Sequence, residues 1–171
     1  MSEELSDPTR AVDRSNADEE AFAAFFVAEF GALAAYCGRL LPAHAAEDTA
    51  QEALVRVWTH WRAVRDPHAY TFLVATNLAR RQWQADARQR DLTERLDAQA
   101  QARRVASDAR PELRDLVERL PERLRLPTLL HYYADLSTDD VARLLRRPPG
   151  TVRRRLAEAR RLLGDALTES S

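Results

Sequence analysis

Large apolar residues recur every three or four positions in several stretches of this chain, separated by polar gaps. Phe22, Phe25, Phe26, Phe30, Leu33 and Tyr36 follow that spacing, which predicts a helix from near Asp18 to about Leu41, stopped by Pro42. The next segment, "AHAAEDTAQEALVRVWTHW", is expected to put Ala50, Leu54, Val57, Trp58 and Trp61 on one face. At Asp66-Pro67 an N-cap is followed by proline at the first helical position, so a third helix is expected there, with Tyr70, Leu73, Val74 and Leu78 as its buried stripe. The stretch "TERLDAQAQARRVASDAR" has no strong stripe and reads as a linker. Helical spacing returns at Leu113, Leu116, Val117 and Leu120. A further helix is expected between Pro121 and Tyr133, either kinked at Pro127 or with its regular part starting there.

The final stretch, "STDDVARLLRRPPGTVRRRLAEARRLL", has the form of two helices around a tight turn. Ser137 and Asp140 have the spacing of a capping box, with Val141, Leu144 and Leu145 facing inward. The prolines end that helix, and Pro149 suits the first position of the next, whose apolar stripe is Val152, Leu156, Ala159 and Leu163. The fold class expected is all-α, with two small helical domains joined by a flexible linker. Residues 1–17 form a disordered acidic head, 18–91 the first domain, 92–110 the linker, 111–167 the second domain and 168–171 a tail.

Composition supports helix over strand, since aromatics are 7% and Gly numbers only 4. All 26 basic residues are arginine, and the net charge of -1 hides a segregation of charge. The first twenty positions are acidic, whereas 137–163 carry Arg143, Arg146, Arg147, Arg153, Arg154, Arg155, Arg160 and Arg161 against three acids. An acidic head and a basic tail predict an anionic partner for the tail. Cys37 is alone, which leaves no internal disulfide and no cysteine metal cluster. His44, Glu47 and Asp48 do not make an evident three-ligand set, and His60 and His68 are isolated, so no metal, cofactor or catalytic site is expected. The start lacks signal-peptide character and no apolar run is read as approaching membrane-spanning length, so the expected location is cytoplasmic, without membrane insertion.

A capped helix, a sharp turn and a basic second helix form a unit that reads DNA, with early arginines reaching base edges and later ones phosphates. Combined with "AEDTAQEALVRVWTHWRAVRDPHAYTFLVATNLARRQW" and "LPERLRLPTLLHYYADLSTDDVARLL", followed by "GTVRRRLAEARRLL", the chain resembles a bacterial sigma factor of the extracytoplasmic-function group in the sigma-70 superfamily. The resemblance implies binding to core RNA polymerase, through its β′ clamp helices and β flap, and promoter-specific initiation without catalysis by this chain. Asp48, Gln51, Glu52 and Arg56 would meet the clamp helices. Arg62, Arg65, Asn77, Arg80, Arg81 and Trp83 would serve the minus-10 element, and Arg147, Thr151, Arg153, Arg154 and Arg155 the minus-35 element. An anti-sigma factor is an implied partner. The alternative is a helix-turn-helix regulator acting without core polymerase, which leaves the "AEDTAQEALVRVW" segment unexplained.

Overall fold

Seven α-helices and one 3₁₀ turn make up the described part of the chain, residues 8–96 and 111–168 of a computed structural model. Helix α1 spans Pro8–Leu40, α2 Ala43–Trp58 and α3 Pro67–Leu96, with the 3₁₀ turn Trp61–Ala63 between the last two. Helices α4 (Pro111–Arg119), α5 (Glu122–Tyr132), α6 (Thr138–Leu144) and α7 (Pro149–Thr168) follow.

The first three helices pack pairwise. Leu33, Tyr36, Cys37 and Leu40 of α1 share one buried core with Ala46, Ala50 and Leu54 of α2 and Ala69, Phe72, Ala75 and Ala79 of α3. Asp66 caps α3 as its sequence position predicts, accepting a hydrogen bond from the Ala69 N–H at 3.0 Å. The buried stripe of α3 is shifted from the expected one. Ala69, Phe72, Ala75, Ala79 and Trp83 are buried, whereas Tyr70, Leu73, Val74 and Leu78 are half-buried at the edge. Alanines let α3 approach its neighbours closely, and the Tyr36 hydroxyl meets the Thr76 hydroxyl at 2.6 Å inside the core. Burial raises the Tyr36 pKa and pushes the Cys37 thiol up to about 12, so neither group ionises at neutral pH.

Four expectations are corrected here. Helix α1 begins at Pro8, so 8–17 are helical rather than disordered; no helix-breaking residue follows Pro8 before Gly31, and the alanines and arginines there favour continuation. Residues 1–7 lie outside the described part. The window Asn16–Leu40 is apolar and long enough to cross a membrane by length and composition, because alanine and valine raise its hydropathy between the aromatic positions. One face of α1 nevertheless packs on α2 and α3. Helix α3 continues to Leu96, so 92–96 belong to it; the remaining expected linker, 97–110, and the tail beyond 168 lie outside the described residues. Finally, Trp61 is not on α2, which ends at Trp58.

In the second half, Leu113 and Val117 of α4 and Leu120 just after it are buried, as are Leu124, Pro127, Leu129 and Leu130 of α5. Helix α5 runs through Pro127 without ending there. Its proline lacks the N–H that would reach Arg123, and burial of the ring accompanies that missing bond. Arg125 folds back to the end of α4, donating to the Leu120 and Glu118 carbonyls at 2.9 and 2.8 Å. Those carbonyls are among the unpaired acceptors at a helix C-terminus, which a cation suits.

The two halves are not separate bodies in this structure. Helix α3 packs on α5 and α6, α1 touches α4, and one apolar core runs from Leu33 and Trp83 to Leu129, Leu130, Val141 and Val152.

Candidate nucleic-acid interface

The unit formed by α6 and α7 is built as the sequence predicts. Ser137 caps α6, its hydroxyl accepting the Asp140 N–H at 3.1 Å while donating to the Asp140 carboxylate at 2.5 Å. That hydroxyl, with lesser help from Arg143, holds the Asp140 carboxyl below the usual carboxylate range. At the other end, Arg146 adopts φ of 51°, the left-handed region, and the Arg147 N–H reaches the Ala142 carbonyl at 2.9 Å while the Arg146 N–H reaches that of Arg143 at 3.2 Å. This pair of bonds is a Schellman closure, which normally has glycine where Arg146 stands. Pro148 then offers only its carbonyl to the start of α7, accepting from Thr151 and Val152 at 2.9 and 3.3 Å.

Along α7, Val152, Leu156 and Ala159 are buried and fix which face turns outward. Arg153 and Arg154 are exposed, Thr151 and Arg155 are half-buried, and Arg147 is exposed on the turn. Among the described residues, Arg147, Arg153, Arg154 and Arg155 form no ion pair. The face is therefore a block of uncompensated cations at the beginning of a helix, suited to a polyanion.

The α3 side differs. Arg62 pairs with Asp18 of α1, and Arg80, whose side chain is only 17% exposed, pairs with Glu122 of α5. Burial, and next the nearby Arg125, lower the Arg80 pKa. Arg65 and Arg81 are exposed and form no ion pair among the described residues. Asn77 is half-buried, and its amide has no partner among the described residues. Trp83 corrects an expectation. It is 5% exposed, and its indole N–H donates to the Leu40 carbonyl at 2.8 Å, which makes it a core residue here instead of a stacking platform. Arg114 of α4 covers it, 5.8 Å from the ring centre, and donates to the Trp83 carbonyl at 2.9 Å.

On α2, Asp48, Gln51, Glu52 and Arg56 are all exposed, with Arg56 paired to Glu52. Among them lies Val55, 59% exposed, which the sequence reading passed over. Its signal was phase: an apolar residue between Glu52 and Arg56, off the Leu54 and Val57 stripe. Asp18 and Glu122 were also missed, because each pairs with a residue about forty positions away and no local pattern announces it. Nearby, Trp58, Thr59, His60, Trp61, Arg62 and Asp18 line a cavity of about 460 Å³. Phe22 packs against both Trp58 and Trp61, with ring centres 4.9 and 5.2 Å away.

Comparison with known proteins accounts for both halves. The family model described as Sigma-70 region 2 matches residues 25–89, and that for Sigma-70, region 4 matches 110–163. The chain belongs to the sigma-70 family. It is an RNA polymerase sigma factor of the extracytoplasmic-function group. It is 32% identical over 143 residues to the RNA polymerase sigma-H factor of Pseudomonas aeruginosa, covering 73% of this chain and 74% of that one. Against the ECF RNA polymerase sigma-E factor of Escherichia coli, identity is 28% over 178 residues, covering 94% and 93% of the two chains. Two solved structures share the fold. CnrH, in complex with the cytosolic domain of CnrY, gives a TM-score of 0.62 at 22% identity, over 90% of this chain and 91% of that one. The sigma factor RpoE of Bartonella quintana, in complex with the anti-sigma factor NepR, gives 0.57 at 19% identity, over 87% and 98%. A helix-turn-helix regulator acting alone would leave the region 2 match unaccounted for, so that alternative is not favoured.

Proposed function

We propose that this sigma factor reads the minus-35 element with α7 and the minus-10 element with the start and middle of α3, while the outer face of α2 holds core polymerase. The observation that carries the reading is the uncompensated cation block of Arg147, Arg153, Arg154 and Arg155, presented by a capped helix-turn-helix. Thr151, Arg153, Arg154 and Arg155 reach the major groove and Arg147 the backbone. Arg62, Arg65, Arg80 and Arg81 meet non-template-strand phosphates, and the unpartnered amide of Asn77 meets a base. On α2, Asp48, Gln51, Glu52 and Arg56 surround Val55, a polar rim about an apolar anchor, and form the contact with the β′ clamp helices. The region 4 half meets the β flap. The polymerase performs the chemistry and this chain supplies none. Its place of action is the cytoplasm, where core polymerase and promoter DNA are. An anti-sigma factor is a further partner, supported by the structural neighbour RpoE, solved with the anti-sigma factor NepR.

The two readers must part to do this. Helix α7 packs on α5 and α6, which pack on α3, so the readers lie about two interhelical distances apart, roughly 20 Å. Elements some 25 base pairs apart are separated by about 85 Å of duplex. The 14 positions between Leu96 and Pro111 allow a reach of up to roughly 50 Å, and the lengths of the two halves supply the remainder.

The test is reconstitution with core polymerase. A complex that gives promoter-dependent transcripts, lost on charge reversal at Asp48 and Glu52, is the expected result. No complex and no transcript would sink the reading.

A further inference from the structure

Two of the four arginines assigned to the minus-10 strand already hold a carboxylate, and neither carboxylate comes from the segment that matches region 2. Arg62 is paired with Asp18, which lies seven positions before the matched stretch 25–89. Arg80 is paired with Glu122, which region 4 contributes from the first position of α5. The second pair is the more enclosed. Arg80 is 17% exposed between α3 and α5, and Glu122 also takes Arg125 at 3.0 Å, so one carboxylate serves two guanidiniums. Arg114 ties the same seam farther along, through the Trp83 carbonyl at 2.9 Å and Asp86 at 3.5 Å. On α7 and the turn before it, by contrast, Arg147, Arg153, Arg154 and Arg155 form no ion pair among the described residues.

A guanidinium presents the same fork of donors to a carboxylate as to a phosphate, so a paired arginine must release its acid before it can take a nucleotide. We propose that two carboxylates act as internal competitors for single-stranded DNA: Glu122 withholds Arg80 until region 4 leaves region 2, and Asp18, from the same half as Arg62, withholds Arg62 whether or not the halves part. The proposal rests on the assignment of α3 to the minus-10 strand. It makes the closed arrangement self-inhibited at one face only: α7 remains ready for duplex, while α3 is engaged only after opening. It also gives the seam a chemistry of its own, without a second protein.

The experiment uses the full chain and two labelled probes of the same mixed sequence, a single strand of about 20 nucleotides and its duplex, titrated by fluorescence anisotropy at low ionic strength. Glu122→Gln is expected to tighten single-strand binding by roughly 3- to 10-fold, and Asp18→Asn by up to about 3-fold because that pair is more exposed. Duplex binding is expected to change by less than about twofold. Asp115→Asn is the charge control: it removes the same charge from an exposed site whose carboxylate holds no ion pair among the described residues, and it should move neither probe. Equal tightening of both probes, or an effect of Asp115→Asn as large as that of Glu122→Gln, would reduce the effect to net charge and overturn the proposal. So would unchanged single-strand affinity in both Glu122→Gln and Asp18→Asn. Thermal unfolding of each variant checks that folding is retained, and Asp18→Asn, far from the seam, keeps the question open to refutation if Glu122→Gln unfolds. Transcription by wild-type holoenzyme is read alongside: transcripts with no change in Glu122→Gln leave the sigma reading standing and remove only the competition.

Discussion

The two nucleic-acid faces use the same residue type in opposite ways. On α7 the arginines stand clear of the protein, and the fold beneath them is fixed by Val152, Leu156 and Ala159. On α3 the cations are interleaved with the packing: Arg80 is tucked against α5, and Trp83 is part of the core that joins the halves. The difference teaches that positive charge in a sequence is potential, and that its availability depends on what tertiary contacts bring to it. An isolated basic face can be altered with little structural consequence. An interleaved one cannot, since binding and stability share the same atoms.

Trp83→Ala should therefore produce the largest effect, and on stability. Removing a 5%-exposed indole and its bond to Leu40 is expected to cost about 3–5 kcal/mol, measured by denaturant unfolding at equilibrium. A loss under about 1 kcal/mol together with weaker single-strand binding would restore Trp83 to the DNA face and erase the contrast between the faces.

The converse prediction concerns Arg153 and Arg154. Replacing either with alanine should weaken promoter duplex binding by about 1–3 kcal/mol if it reads a base. A smaller, sequence-independent loss with a reduced salt slope marks a phosphate contact. Unfolding should shift by no more than about 0.5 kcal/mol, because both side chains are exposed and unpaired among the described residues. Loss of stability in either variant would mean that α7 is interleaved as well.

What was legible in the sequence follows the same division. The stripe of α7, the Ser137 cap and the Asp66-Pro67 start of α3 depend on residues within four positions of one another, and all three stand in the structure. The exposure of Asp48, Gln51, Glu52 and Arg56 was legible too, as the complement of a clear apolar stripe. Trp83 was not. A tryptophan beside arginines reads alike as a stacking group or a core group, and a carbonyl 43 positions away decides between them. The stripe of α3 was misplaced because large residues were weighted above alanines, whereas close helix approach favours the small ones. The early start of α1 was hidden because 8–17 carry no large apolar stripe, which suggests disorder even where nothing breaks the helix.

A smaller effect, dependent on pH, belongs to the cap that aims the open face. Ser137→Ala should destabilise the chain by about 1 kcal/mol at neutral pH. The sign of the pH dependence follows from Asp140, whose folded pKa lies below its unfolded value, chiefly through the Ser137 hydroxyl. Its contribution is fully present above the usual carboxylate range and is lost as pH falls through the folded pKa. The gap between wild type and Ser137→Ala should accordingly narrow in acid, read from unfolding curves over a pH series. A gap that widened in acid would mean that the cap does not act through that carboxylate.

Arg146→Gly probes the boundary of the open face most finely. A non-glycine residue at φ of 51° carries a left-handed penalty of roughly 1–2 kcal/mol, and glycine gives back about 0.5–1 kcal/mol of it through the entropy of the unfolded chain. The expected result is a net gain of about 0.5–1 kcal/mol, a rise in Tm of a few degrees. Arg146 is exposed and forms no ion pair among the described residues, so no salt bridge there is lost with it. Duplex affinity then separates two roles for the arginine. If it stays constant as Tm rises, the DNA face begins at Arg147. If affinity falls as stability rises, the strained Arg146 is itself part of that face, and the chain retains the strain because a guanidinium there meets a phosphate that glycine cannot.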